Sequence, residues 1–276
     1  MKVTIAEKCG FCKGVNVAIE LARKTLSKGK KVYSLGPIIH NADVVTELLK
    51  AGLVTVSSVD EVASGTVLIR SHGATLEQFR QIEEKGLEIV DATCVLVKRV
   101  QKLCHTLSAE GYKIVIIGDE THPEVKAIVG FGEDVVVIGS KKDLCRLGEH
   151  GKLGVISQTT QSPGHFAEMV GEIIKRGFSE LKVVNTLCRE AIRRQDSAVK
   201  LCKEVDIMFV LGGLHSANTR KLAELCKKHN NQTFHLQNWH ELDKTVLRGR
   251  SCAGVTAGAS TPEWVINDFV EKLRAY

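Results

Sequence analysis

The sequence predicts an α/β protein of three lobes, each built on a parallel sheet and related to the others by a pseudo-threefold axis. Two observations carry this. Helix-periodic stretches alternate with short apolar, strand-like stretches along the whole chain, the pattern of parallel sheets with helices on their faces. That pattern recurs three times at one spacing: Gly36, Gly118 and Gly212 each stand 24 residues after Cys12, Cys94 and Cys188. Each unit is only about 80–95 residues and marginal by itself, so the three are expected to pack on one another. The expected boundaries are 13–93, 94–187 and 188–276, with the N-terminal strand 1–12 joining the third lobe.

The elements follow in order. After Cys12, residues Val15, Ile19, Ala22 and Leu26 line one helical face; after Cys94, Leu96, Val97, Val100, Leu103 and Leu107 do so. After Cys188 the stripe is weaker: Ala191, Ile192, Val199 and Cys202. Each helix leads to an apolar strand ending in glycine, over residues 32–36, 114–118 and 208–212. Four residues beyond each glycine stands a polar side chain, His40, His122 or Ser216, ahead of another helical segment. A second strand and loop follow in each unit. They are 67–69 into Arg70-Ser71-His72-Gly73, 154–156 into Ser157-Gln158-Thr159-Thr160, and 254–255 into Thr256-Ala257-Gly258-Ala259-Ser260. Thr121-His122-Pro123-Glu124 and Ser260-Thr261-Pro262-Glu263 both read as capping boxes with proline in the first turn. A capped helix start is also an anion site. Ligands of parallel sheets bind beyond the C-terminal strand ends, where these polar loops lie.

Composition excludes several classes. Of 276 residues, 43% are apolar and 25% charged, which is ordinary for a globular chain. No apolar run is long enough to span a bilayer. The opening residues reach Glu7-Lys8 without an apolar core, so no export signal is expected. The net charge of +6 is scattered; it suits a small anionic ligand rather than nucleic acid or a membrane surface. Nine cysteines, an odd count without an export signal, point to a reducing cytoplasm. No glycine-rich nucleotide or dinucleotide fingerprint occurs, so electrons for any redox step are expected from another protein.

Cys12, Cys94 and Cys188 are the chemically telling cysteines. A helix start offers free N–H groups and partial positive charge, which favour a thiolate and an anionic metal centre. A structural zinc site takes four ligands, and a [4Fe-4S] cluster usually takes four cysteines. Three ligands leave one iron open, a Lewis acid as well as an electron store. The alternatives are three structural cysteines, or a dithiol or half zinc site at Cys9-Gly10-Phe11-Cys12. Cys104, Cys145, Cys202, Cys226 and Cys252 carry no ligand spacing and read as packing residues. His40, His72 and His122, with Thr160, Ser216, Asn218 and Ser260, form a polar set suited to a diphosphate. Glu124 beside them argues for catalysis over a non-catalytic iron–sulfur sensor.

These stretches resemble the 4-hydroxy-3-methylbut-2-enyl diphosphate reductase family, known as IspH or LytB, over essentially the whole chain. The carriers are Gly10-Phe11-Cys12-Lys13-Gly14-Val15, His40-Asn41, Ser71-His72-Gly73, Asp91-Ala92-Thr93-Cys94 and His122-Pro123-Glu124-Val125. They continue with Gln158-Thr159-Thr160, Arg194-Gln195-Asp196, Ser216-Ala217-Asn218 and 255–260. The resemblance implies three lobes around one central [4Fe-4S] cluster per chain, held by Cys12, Cys94 and Cys188. It implies reductive removal of the allylic hydroxyl to give isopentenyl and dimethylallyl diphosphates, the last step of the methylerythritol phosphate route. His40, His72, His122, Thr160, Ser216, Asn218 and Ser260 match the diphosphate-binding positions. Glu124 matches the proton donor and Thr159 the threonine near the substrate hydroxyl. A ferredoxin or flavodoxin is the implied electron source. The chain departs from the family pattern at Ala217, at Gly213-Leu214-His215, at Arg70 and at Val95.

Overall fold

The computed structural model describes residues 1–39, 41–148 and 151–276. Among them, twelve strands form three four-stranded sheets with parallel pairing throughout. Strand β1 (Lys2–Ile5) opens the chain. The next sheet along the chain takes β2 (Val32–Leu35), β3 (Leu53–Val56), β4 (Thr66–Ile69) and β5 (Glu88–Asp91), in the order β3-β2-β4-β5. Then β6 (Lys113–Ile117), β7 (Val135–Ile138), β8 (Lys152–Ser157) and β9 (Glu180–Val183) take the order β7-β6-β8-β9. The third group, β10 (Ile207–Leu211), β11 (Thr233–Leu236) and β12 (Cys252–Ala257), takes the order β11-β10-β12-β1. β1 therefore fills the place that β5 and β9 fill in the other two sheets. The register repeats as well: Ser34 pairs with Leu68, Ile116 with Ile156, and Val210 with Thr256.

The helices keep the same order. α1 (Lys13–Leu26), α4 (Val95–Ala109) and α7 (Arg189–Cys202) lead into β2, β6 and β10. α2 (Ala42–Lys50), α5 (Pro123–Val129) and α8 (Ala217–His229) follow those strands, and α3 (Leu76–Glu84), α6 (Pro163–Ile174) and α9 (Glu263–Ala275) follow β4, β8 and β12. The chain divides into two compact units. One is Met1–Asn16 with Ile39–Leu48 and Arg189–Tyr276; the other is Val17–Ile38 with Leu49–Cys188.

In the first unit β10 is buried throughout, because both faces of its sheet are covered. Ile207, Phe209 and Leu211 pack with Phe269, Val270 and Leu273 of α9. Met208 and Val210 point the other way, onto Ala198 and Leu201 of α7 and Leu222 and Cys226 of α8. The second unit repeats this at β6. Val115 and Ile117 meet Phe166, Met169 and Ile173 of α6, while Ile114 and Ile116 meet Val100, Leu107, Val125 and Ile128 of α4 and α5. Each such side chain contributes about 1.5–3 kcal/mol on burial. At β4, Val67 and Ile69 pack with Ile82 of α3.

Three local expectations are corrected. The cap of α5 is His122, not Thr121; the Thr121 hydroxyl is taken by Asp119 at 2.7 Å. At α9 the cap is Pro262 with no side-chain bond, and the Thr261 hydroxyl donates to Leu211 O at 3.0 Å. Cys145 is exposed and Cys252 only half-buried, so neither is a core residue, whereas Cys104, Cys202 and Cys226 are buried. The weak stripe of α7 has a cause: one of its inward positions is Arg194, buried beside Ala198, Leu201 and Cys202.

Candidate active site

Each of the three spaced cysteines stands immediately before a helix: Cys12 before α1, Cys94 before α4 and Cys188 before α7. Each is tied through its backbone N–H to a strand-end loop. Cys94 donates to Ser71 O at 3.0 Å, Cys188 to Thr159 O at 2.7 Å and Cys12 to Ala259 O at 3.2 Å. The three carbonyls occupy corresponding positions, just beyond the register-matched Leu68, Ile156 and Thr256. The next residues are His72, Thr160 and Ser260, all expected substrate contacts. A turn closes each loop in the same way, Gly73 to Arg70, Gln161 to Gln158 and Thr261 to Gly258.

The surroundings of these thiols suit a thiolate-held metal group. All three are half-exposed, and the Cys12 sulfur accepts the N–H of Val15 at 3.4 Å, one of the free amides of the first helical turn. Thiolates are the soft donors that iron–sulfur clusters take. Burial pushes the Cys104 thiol up to about 12 and the Cys9 thiol up to about 11 against the pull of Arg194. Asp91 shapes the turn before Cys94. Its Oδ1 accepts the Thr93 N–H at 2.9 Å and its Oδ2 pairs with Lys98 at 2.6 Å. Burial, the largest influence, pushes the Asp91 carboxyl up; Lys98 and Thr93 together outweigh it and hold it below the ordinary value. Among the described residues no three His, Cys, Asp or Glu side chains are grouped at metal-holding distance. What the three cysteines share is their surroundings: each precedes a helix and is tied to a strand-end loop.

In the second unit, Glu124 and Thr159 are 3% and 5% exposed. The Thr159 N–H donates to Glu124 Oε1 at 2.6 Å and its hydroxyl to Oε2 at 2.9 Å. Glu124 sits in the first turn of α5 and gives its own N–H to His122 Nδ1 at 3.2 Å. With Nδ1 accepting, the neutral ring carries its proton on Nε2 and is a donor there. His72 lies edge-on to His122 with centroids 5.4 Å apart. Thr160 accepts from Gln158 Nε2 at 3.1 Å. Glu124, Thr159, His122 and His72 are thus brought together, and Cys188 is anchored on Thr159 itself.

In the first unit, Ser216 caps α8. Its oxygen accepts the Thr219 N–H at 3.3 Å and the Thr219 hydroxyl at 3.0 Å, which leaves its own O–H to donate. Thr219 is fully buried, and a Cβ on Gly258 would fall on its hydroxyl, so only glycine fits there. The buried oxygen of Asn218 has no hydrogen-bond partner among the described residues. Ser260 follows Ala259, the anchor of Cys12. His40 lies outside the described residues. Sequence reasoning assigned no role to Thr219, Asp91 or Arg194. Their signal is a polar residue at an inward helix position or just before one of the three spaced cysteines.

Fold and site together define a class: parallel α/β proteins that repeat one sheet three times and place a cysteine against a polar strand-end loop in each. Among the described residues no helix is long and apolar enough to cross a membrane. The chain belongs to the family described as LytB protein, whose model matches residues 3–274. It is 42% identical over 274 residues to the 4-hydroxy-3-methylbut-2-enyl diphosphate reductase of Trichlorobacter lovleyi, covering 99% of this chain and 98% of that one. It is 43% identical over 277 residues to the reductase of the same name from Geobacter sp. strain M21, covering 100% and 98%. Among solved structures it is similar to the E-1-hydroxy-2-methyl-but-2-enyl-4-diphosphate reductase of Plasmodium falciparum, with a TM-score of 0.93 at 27% identity over 99% of this chain and 87% of that one. A second, an (E)-4-hydroxy-3-methyl-but-2-enyl diphosphate reductase described as the terminal enzyme of the non-mevalonate pathway, gives a TM-score of 0.74 at 39% identity over the whole of both chains. Membership makes the chain an enzyme, a cofactor-dependent reductase.

Proposed function

We propose that the protein reduces 4-hydroxy-3-methylbut-2-enyl diphosphate as the last step of the methylerythritol phosphate (non-mevalonate) route. One allylic C–O bond breaks, one C–H bond forms, and two electrons and two protons are consumed. Water leaves with isopentenyl or dimethylallyl diphosphate. The buried Glu124–Thr159 pair is the observation that carries this reading. Hydroxide is a poor leaving group, so the departing oxygen needs a proton. Glu124 Oε1 is occupied by the Thr159 N–H, so a proton on the carboxyl sits at Oε2. With Oε2 protonated the 2.9 Å hydroxyl bond reverses, so the carboxyl donates to Thr159 Oγ1 and the threonine hands its own proton onward. Burial of both side chains keeps bulk water from short-circuiting the transfer.

The diphosphate is taken by His40, His72, His122, Thr160, Ser216, Asn218 and Ser260. His122 Nε2–H and the free Ser216 O–H are donors by the geometry above, and charge-assisted bonds to phosphate are the strong kind. Cys12, Cys94 and Cys188 hold one [4Fe-4S] cluster per chain, and the lobes are 13–93, 94–187 and 188–276 with strand 1–12. When bound, such a cluster supplies electrons one at a time and one iron without a protein ligand, a Lewis acid. A cytoplasmic ferredoxin or flavodoxin delivers the electrons. The test is anaerobic turnover with reduced viologen. A brown protein that oxidises the dye only when substrate is added is expected; a colourless, zinc-loaded protein without turnover overturns the reading.

A further inference from the structure

Arg194 of α7 is 8% exposed. Its Nη2 donates to Gly10 O at 2.7 Å, and its buried Nε has no hydrogen-bond partner among the described residues. Among the described ion pairs no carboxylate faces it. A guanidinium stays charged at every accessible pH, and a buried charge without a counter-charge is costly. The nearby Cys9 thiol does not neutralise it, because burial holds that thiol protonated up to about pH 11. The Thr256 hydroxyl beside Cys9 carries no charge.

The point of attachment is specific. Gly10 has φ +75°, and a Cβ there would meet Ile266 Cδ1 at 2.9 Å and Thr261 O at 3.2 Å. The carbonyl that Arg194 grips therefore belongs to a backbone position that only glycine fills. Two residues on, the Cys12 N–H is tied to Ala259 O. The short loop carrying the cysteine is held at both ends, and one of the holders is a buried cation that no carboxylate faces among the described ion pairs.

We infer that Arg194 is a positioning residue: it sets the Gly10–Cys12 loop and supplies the counter-charge for the anionic centre held at Cys12, an inference that rests on the cluster assignment above. Adding an electron to that centre adds negative charge, which a nearby buried cation favours. The charge is tolerated in the fold because it is used when the cofactor is present.

Two full-length variants separate charge from grip. Arg194→Gln keeps a donor for Gly10 and removes the charge; Arg194→Lys keeps the charge and removes the planar fork. Each is reconstituted anaerobically, assayed for iron and sulfide, and titrated with mediator dyes. In Arg194→Gln the one-electron equilibrium is expected to shift about tenfold toward the oxidised form, about 59 mV, with Arg194→Lys much closer to wild type. An unchanged potential in Arg194→Gln, or equal shifts in both variants, overturns the inference. If Arg194→Gln holds no cluster, retention by Arg194→Lys supports the charge, and loss in both reduces Arg194 to a structural clamp. A wild-type chain that takes up no cluster overturns the cofactor assignment, and this inference with it.

Discussion

Thr159 and Glu124 are joined at both carboxylate oxygens, by the threonine N–H at 2.6 Å and by its hydroxyl at 2.9 Å. The backbone bond orients the carboxyl, and in the proposed mechanism the hydroxyl contact is the route by which its proton leaves. The two residues stand 35 apart in the chain and meet because β6 and β8 are neighbours whose strand ends open side by side.

Glu124→Gln separates orientation from acidity. Glutamine accepts the Thr159 N–H at its oxygen and donates to the threonine hydroxyl, so the variant folds and takes up cofactor. Turnover with saturating reductant is expected to fall about 10²–10⁴-fold. Thr159→Ser keeps most activity, whereas Thr159→Val falls with Glu124→Gln. Turnover near wild type in Glu124→Gln leaves Glu124 as a structural residue.

Changing Cys12, Cys94 or Cys188 to Ser is expected to remove most bound iron and sulfide. Cys104→Ser and Cys226→Ser bury a hydroxyl in the cores they line and cost about 1–3 kcal/mol, yet keep full iron. Iron analysis beside urea denaturation reads both effects. Full iron in Cys188→Ser would show that the threefold set was misassigned.

His122 both caps α5 and offers an Nε2 donor. His122→Ala loses both functions, with about 0.5–2 kcal/mol from the cap. His122→Asn restores a capping acceptor without the imidazole donor. Pyrophosphate inhibition is expected to weaken in both, by about 1.5–3 kcal/mol of lost contact to a charged group, while only the alanine variant melts early. Wild-type inhibition in His122→Asn confines His122 to capping.

Asp91 has a pH signature. Its carboxyl lies below the ordinary value in the folded chain, held there by Lys98 and Thr93 against burial. The unfolded chain therefore binds its proton first, and stability rises with pH across that window. The contribution is present above the unfolded value of about 3.9 and is lost as pH falls through the folded value. Urea midpoints from pH 6 to 3 are expected to fall more steeply in wild type than in Asp91→Asn. Parallel slopes would show that Lys98 and Thr93 do not hold the Asp91 carboxyl down.

Cofactor removal exposes a contrast among the other thiols. With its thiol pushed up to about 11, Cys9 has a thiolate fraction of about one in a thousand at pH 8. Cys145 is exposed. After chelation, mass spectrometry is expected to find iodoacetamide on Cys145 long before Cys9. Early labelling of Cys9 contradicts its burial.

Much of this site is legible in the sequence because it rests on local relations. A cysteine before a helix and a glycine 24 residues on are set by one helix, one turn and one strand. His122 and Glu124 lie within one helical turn, so their nearness needs no folded partner. Which of Thr121 and His122 caps that helix was not legible. Both offer an acceptor, and Asp119, pulling the Thr121 hydroxyl away, settled it.

The period of the repeat, the order of helices and strands, the three spaced cysteines' place at helix starts and the polar strand ends are all written in residue type and spacing. They depend on side-chain periodicity and backbone preference, which act within a few residues. Tertiary structure alone decided that β1 completes the sheet of β12, that Thr159 grips Glu124, and that Arg194 reaches Gly10 across 184 residues of chain. Each of those contacts joins residues far apart in sequence. Each forms only after sheet register and helix packing have aligned the donor with its acceptor and excluded the water that would otherwise compete for both.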